Sequence, residues 1–143
     1  MSQQGSNKDL VRRWFAAFPD LTDAVFETFI HPDIANHPAP PPLRHGLENF
    51  KKVLLYVLAA VPDQTYLCDE LVAEGPLVVA RTRWMGAFEG EFLGVLGNGM
   101  RFEVGQSHSF RVADGKLIEH WAVRDDLEVF RQTGVTPPGA HGS

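Results

Sequence analysis

The feature that most constrains this chain is a change of hydrophobic period at Pro62. Before it, apolar residues recur every three or four positions; after it, they alternate. Leu10, Val11, Trp14, Phe15 and Phe18 share one side of a helix over 7–18, with Asn7 as its predicted N-cap and Pro19 as its stop. Thr22 opens a second helix carrying Val25, Phe26, Phe29 and Ile30, which His31-Pro32 ends. The stretch from Asn36 to Pro42 lacks N–H donors at Pro38, Pro40, Pro41 and Pro42, so it is expected as a rim segment or loop outside any helix or central strand. A third helix is predicted over 47–61. Its apolar residues (Val53, Leu54, Leu55, Val57, Leu58) surround it, which predicts burial on more than one face.

Beyond Pro62 the strand signals dominate. Residues 65–73 alternate loosely, Glu74-Gly75-Pro76 marks a turn, and 77–85 is rich in β-branched residues. Glycines at 86, 90, 94, 97 and 99 break up the next link and would supply the bends of a curved sheet. Two longer strands, 101–112 and 117–124, flank Asp114-Gly115, a hairpin cue. A short helix over 127–133 ends at Gly134, and a Pro/Gly-rich tail over 136–143 is expected to be disordered. Helices followed by antiparallel strands give one α+β domain, with a long helix lying across a curved sheet and an apolar cavity between them.

Composition narrows the function classes. The 143 residues suffice for one domain, and thirteen Lys and Arg against eighteen Asp and Glu leave a net charge of −5. That balance argues against nucleic acid and an anionic membrane surface. Cys68, the single cysteine, predicts a reducing, cytoplasmic setting, and the N-terminus carries no secretory pattern. The six histidines fall in no metal-ligand spacing, and no G-x-S-x-G is present, so neither a metal nor a covalent nucleophile is expected.

The informative chemistry lies on the two long strands. Gln106, His108 and Phe110 share one face of a strand: an amide, an imidazole and an aromatic ring, suited to a carbonyl-bearing ligand. Imidazole titrates near neutrality and can exchange a proton with an enolisable substrate; a plain core histidine is the other reading. Which residues of the last strand join that face depends on the turn. A two-residue turn sets His108 opposite Trp121, with Val123 and Asp125 on its face. A three-residue turn with a bulge at Gly115 brings His120, Ala122 and Arg124 there instead. Asp125 is either a catalytic carboxylate or the cap of the last helix, since Asp125-Asp126-Leu127-Glu128 has the form of a capping box. Trp14 and Trp84 are expected as cavity wall or core, and Arg81, Arg83 and Arg124 as surface or edge charges, any of which inside the cavity would be a partner for a carboxylate or enolate.

The order His31-Pro32-Asp33, Asn36, Gly46, Val61-Pro62-Asp63, Glu74-Gly75, Gln106-Ser107-His108, Asp114-Gly115-Lys116, Glu119-His120-Trp121 and Gln132-Thr133-Gly134 resembles the SnoaL-like polyketide cyclases, within the nuclear transport factor 2-like superfamily. The likeness runs from about residue 10 to 135. It implies a cone-shaped barrel, as in ketosteroid isomerase-like proteins: a strongly curved antiparallel sheet wrapped around three N-terminal helices. It also implies a homodimer or larger homo-oligomer, and aldol cyclisation of a polyketide ester without metal or organic cofactor. Carried over, the family's Asn after the second helix matches Asn36, and its Gln and His on the sheet match Gln106 and His108. Its general-base Asp falls at Ala122, which cannot titrate, and its next Asp matches Asp125.

The expectation is therefore a small-molecule enzyme performing proton-transfer chemistry, cyclisation or isomerisation, on an apolar carbonyl-bearing substrate. His108 and Asp125 would be catalytic, and Asn36, Gln106, Trp84, Phe110 and Trp14 would contact substrate. Two alternatives stand beside it because of Ala122: a non-catalytic hydrophobic-ligand-binding module, and a hydrolase, hydratase or hydroxylase variant.

Overall fold

A computed structural model describes residues 2–136. The tail expected to be disordered lies outside the described residues apart from Thr136. Helix α1 spans Gln3–Ala16, starting four residues earlier than the periodicity predicts, because the Ser2 hydroxyl caps it by accepting from the Gly5 N–H. Asn7, the expected cap, is instead buried within the helix and accepts from the Gln3 amide. Helix α2, Asp23–Phe29, is capped by Thr22. Together α1 and α2 bury Trp14, Phe15, Phe18, Phe26 and Phe29 in one aromatic cluster.

Between α2 and the predicted rim segment comes a strand that the sequence reading did not expect. Ile30–Asn36 forms strand β1, which runs parallel to the last strand and includes Pro32. Proline is tolerated because β1 is the edge strand and its register slips between Ile30 and Ala35. Pro41–Leu43 makes a single 3-10 turn, with the prolines at positions that need no N–H. That segment is tied down by the Arg44 Nε–H donating to the Ala39 carbonyl at 2.7 Å.

Helix α3, Leu47–Ala60, buries only Phe50 and Ala60 fully, against the expectation of burial on several faces. Leu55 and Tyr56 are exposed, because α3 packs on the edge strand β1 rather than across the middle of the sheet. Strands β2 (Thr65–Glu74), β3 (Leu77–Ala87), β6 (Arg101–Ala113) and β7 (Lys116–Arg124) complete a five-stranded sheet in the order β1-β7-β6-β3-β2. Two short strands, β4 (Glu91–Phe92) and β5 (Val95–Leu96), pair separately within the glycine-rich link. Gly90 is needed there, since a Cβ would lie 2.5 Å from the Ala59 carbonyl at the end of α3. Helix α4, Asp126–Thr133, closes the second apolar cluster with Val129 and Phe130 against Trp84, Phe102 and Val104. The fold is α+β, with four helices on a curled sheet that is antiparallel except at β1.

The β6–β7 hairpin decides the site. Asp114 and Gly115 both have positive φ, as a two-residue turn of the primed type demands, and Ala113 pairs with Lys116. A bulge at Ile118 then shifts the register, so that Phe110 faces His120, His108 faces Ala122 and Gln106 faces Arg124. The turn is the two-residue one, yet the inward set is that of the other expectation, because one extra residue flips the face.

Candidate active site

Four polar side chains form one chain of hydrogen bonds on the inner face. His108 Nε2 meets Gln106 Oε1 at 2.7 Å, and His108 Nδ1 meets His120 Nε2 at 2.9 Å. His120 Nδ1 in turn meets Asn36 Oδ1 at 2.7 Å. Sheet pairing builds this row: β6 supplies Gln106 and His108 two residues apart, β7 supplies His120, and parallel β1 sets Asn36 beside His120. Asn36, Gln106 and His108 are buried. Phe110 stacks on His120, with centroids 4.7 Å apart, and Phe15 and Tyr66 meet His108 edge-on at 5.1 and 5.7 Å.

The proton count in this row is informative. A neutral imidazole has one N–H and one lone pair. With both amide oxygens accepting from the outer ring nitrogens, the inner Nδ1 and Nε2 would face each other lone pair to lone pair. The row therefore has two consistent states. Either both amide oxygens point at the rings and the pair holds one extra proton between them, or the pair is neutral and one amide has turned its NH2 group toward its ring. Burial away from water favours the second state: desolvation, reinforced by the Arg124 charge, pushes the His108 pKa down to about 3. Desolvation, with the nearby His108 ring and Arg124, also holds His120 well below its ordinary value.

His120 and Ala122 face inward yet are only half-buried, as is Tyr66. These half-buried side chains keep some contact with solvent on the inner face, as the lining of a recess would. The Tyr66 hydroxyl has no hydrogen-bond partner among the described residues, and the NH2 group of whichever amide keeps its oxygen on the rings has none either.

The structure brings together Asn36, Gln106, His108 and Phe110, and separates the other sequence-predicted residues from them. Asp125 is exposed and caps α4 by accepting from the Glu128 N–H at 3.3 Å, so its carboxylate serves the helix and bonds to neither ring. Trp14 sits in the aromatic cluster between Phe18, Phe26, Phe29 and Phe50. Trp84 is 1% exposed, its indole N–H donating to Gln64 Oε1. Neither tryptophan reaches the histidine row; Phe15, one position past Trp14, does. His120, Tyr66 and Arg124 are functional candidates that sequence reasoning left off its site. The second of the two hairpin registers was the signal available for His120 and Arg124.

Among the described residues no group of three or more His, Cys, Asp or Glu converges as a metal site. No helix of the described residues is long and apolar enough to cross a membrane.

Comparison with known proteins agrees with this geometry. Over 99% of the chain and all of its counterpart, the fold superposes on TsrD from Streptomyces laurentii with a TM-score of 0.82 and 28% identity. IdmH from Streptomyces antibioticus, a candidate polyketide cyclase, matches with a TM-score of 0.78 and 28% identity, over 90% of this chain and 99% of that one. AclR from Streptomyces galilaeus, a candidate hydroxylase, shares the fold at a TM-score of 0.77 and 24% identity, over 92% and 83% of the two chains. No curated protein matches in sequence. The profile of the SnoaL-like polyketide cyclases covers residues 8–133, from the first helix through the histidine row to the last, and the chain belongs to that family.

Proposed function

We propose that this chain is an enzyme that binds an apolar, carbonyl-bearing small molecule in the hollow and moves a proton on it, in a cyclisation or isomerisation of polyketide type. The single observation that carries this reading is the amide–imidazole–imidazole–amide row, which can hold one extra proton with every ring nitrogen bonded.

In the neutral row one amide offers its oxygen and the other its NH2. A ketone bound with its oxygen at the amides places its α-carbon within the reach of a ring nitrogen once Gln106 or Asn36 swings aside. The α C–H bond breaks, its electron pair moves to the carbonyl oxygen as an enolate, and the proton forms a new N–H bond on the imidazole pair. Both amide oxygens then accept from the rings, so both NH2 groups turn to the enolate oxygen. Proton uptake and anion stabilisation are thus one rearrangement. A ring whose pKa is about 3 is a weak base in the empty cavity. An enolate about 5 Å away, at an effective dielectric constant of ~20, would favour the protonated pair by about 3 kcal/mol, or roughly two pKa units. His108 and His120 together take the place of the carboxylate absent at Ala122.

A specific observation favours a second reading. Ala122 lies directly across from His108, and no carboxylate bonds to either ring, so the row could hold a ligand without turning it over. The two readings part on α-proton exchange. A bound enolisable ketone incubated in D2O with the protein should lose its α-proton NMR signal faster than in buffer, and His108→Gln should slow that exchange about 10²-fold or more. A ketone that binds without enhanced exchange supports the carrier and contradicts the enzyme.

We also propose that copies of the chain associate through the outer sheet face, where Leu67, Val72, Val79 and Val123 stand exposed. Sedimentation should then give a dimer or larger oligomer, and Val123→Lys with Val72→Lys should shift it to monomer.

A further inference from the structure

On the face of the sheet opposite the histidine row, four side chains gather around His37, the residue that follows Asn36. Glu119 and Trp121 flank His120 along β7, so they point outward where it points inward. The His37 Nε2–H donates to Glu119 Oε2 at 2.8 Å, and its backbone N–H donates to the His120 carbonyl at 3.0 Å. Its ring stacks on Trp121, with centroids 4.9 Å apart and planes 10° from parallel. Arg111, across from Glu119 on β6, donates from Nε to the other carboxylate oxygen, Oε1, at 3.0 Å. Its guanidinium also lies over the Trp121 ring at 5.8 Å. Both oxygens of Glu119 are engaged, and the two donors, His37 first, hold its carboxyl below the usual carboxylate range.

This grip falls where β1 is weakest. β1 is an edge strand carrying Pro32, and its register slips between Ile30 and Ala35. Beyond the slip its ladder to β7 is two residue pairs long, Ala35 with Glu119 and Asn36 with His120. The end of so short a ladder frays unless side chains hold it. Bonds on the other side of β1 run from the Asn36 N–H to the Arg44 carbonyl and from the Gly46 N–H to the Ile34 carbonyl. They tie β1 to the segment before α3, which would travel with it away from β7. We propose that Glu119 and His37 are positioning residues: gripping the end of β1 from the outer face, they set Asn36 against His120 on the inner face and so complete the row. Neither faces the recess. The Asn36–His120 contact joins two strands, whereas Gln106 and His108 share β6 and keep their spacing wherever β1 goes. Losing the clamp therefore disturbs one end of the row and spares the other. The proposal goes beyond the proton-transfer reading and rests on it only for the kinetic consequence.

Side-chain ¹⁵N NMR of the histidines tests this in Glu119→Gln, His37→Ala and His37→Gln. Glu119→Gln and His37→Ala should each shift the His120 Nδ1 resonance, as its bond to Asn36 lengthens or breaks, and leave His108 Nε2 nearly in place. His37→Gln keeps an N–H donor and should return His120 part of the way to its wild-type position. Arg81→Gln removes an ion pair with Glu70 from the same outer face and should move neither ring. In the D2O assay, Glu119→Gln and His37→Ala should slow α-proton exchange about tenfold or more, as a displacement of about 1 Å in the row would. Arg81→Gln should keep the wild-type rate. A His120 signal that stays put in Glu119→Gln and His37→Ala, moves together with His108, or moves as far in Arg81→Gln contradicts the clamp, whatever the exchange rate. If His120 alone shifts while the wild type speeds no exchange, the clamp stands and the proton-transfer reading falls.

Discussion

The imidazole of His108 is 5% exposed and bonded through both nitrogens, so its proton affinity is set by neighbours rather than by water. The pH dependence follows in sign. Its folded pKa of about 3 lies below an unfolded value of ~6.5. The unfolded chain therefore takes up the proton first as pH falls. Stability from this residue is whole above about pH 6.5 and drains away down to about pH 3, with a limit on the order of 5 kcal/mol. Denaturant melts from pH 7 to 4 should show that loss, and His108→Gln should flatten the slope; an equal slope in the variant would contradict the assignment. Position 122 gives the reverse experiment. Ala122→Asp places a carboxylate directly across from His108. An opposite charge at that range favours the imidazolium, so the His108 pKa should rise by one unit or more by NMR titration, with a stability loss of about 1–3 kcal/mol from the added buried charge.

At the scale of elements, the β6–β7 turn positions the site, and a separate close contact anchors the glycine-rich link. The Asp114-Gly115 turn needs positive φ at both residues, and His31 reaches Asp114 at 3.3 Å to brace it from β1. Gly90 lets the link before β4 ride on the end of α3. Gly90→Ala sets a Cβ against the Ala59 carbonyl and should cost about 1–3 kcal/mol by thermal or chemical melt, without change in the β6–β7 register. A Gly90→Ala variant as stable as wild type would show that the link can move aside. The same features explain what the sequence could and could not reveal. The pattern Gln106, His108, Phe110 has period 2 and was legible from spacing, as were the turn residues and the four strands they separate. The bulge at Ile118 was not, because one extra residue leaves no mark in an apolar run such as Leu117-Ile118, yet it decides that His120 rather than Trp121 lies inward. The Asn36–His120 bond was hidden for a related reason. It depends on β1 pairing in parallel with β7, and Pro32 argues against a strand until its place at the sheet edge is known. Asp125 and Asp126 stand side by side with the same chemistry; only the direction of each side chain makes one the cap of α4 and the other the partner of Arg124.

At the scale of the molecule, two aromatic clusters hold opposite ends of the curled sheet and the histidine row runs along its inner face at the first of them. The first cluster, from α1 and α2, supplies Phe15 against His108; the second, closed by α4, brings Trp84 against Tyr66. Low dielectric from both sides keeps the imidazoles neutral, so a bound anion acts on them strongly. Under the proposed function, the fold's part is to keep water from the two rings so that they can share one proton. Side-chain ¹⁵N NMR of the histidines, at pH 7 and with saturating 1,3-diketone, measures this directly. The account predicts that His108 and His120 are both neutral in the free protein, and that ligand binding drives uptake of one proton shared between them. Rings that are already charged without ligand, or that stay neutral when the diketone is bound as its enolate, would contradict it.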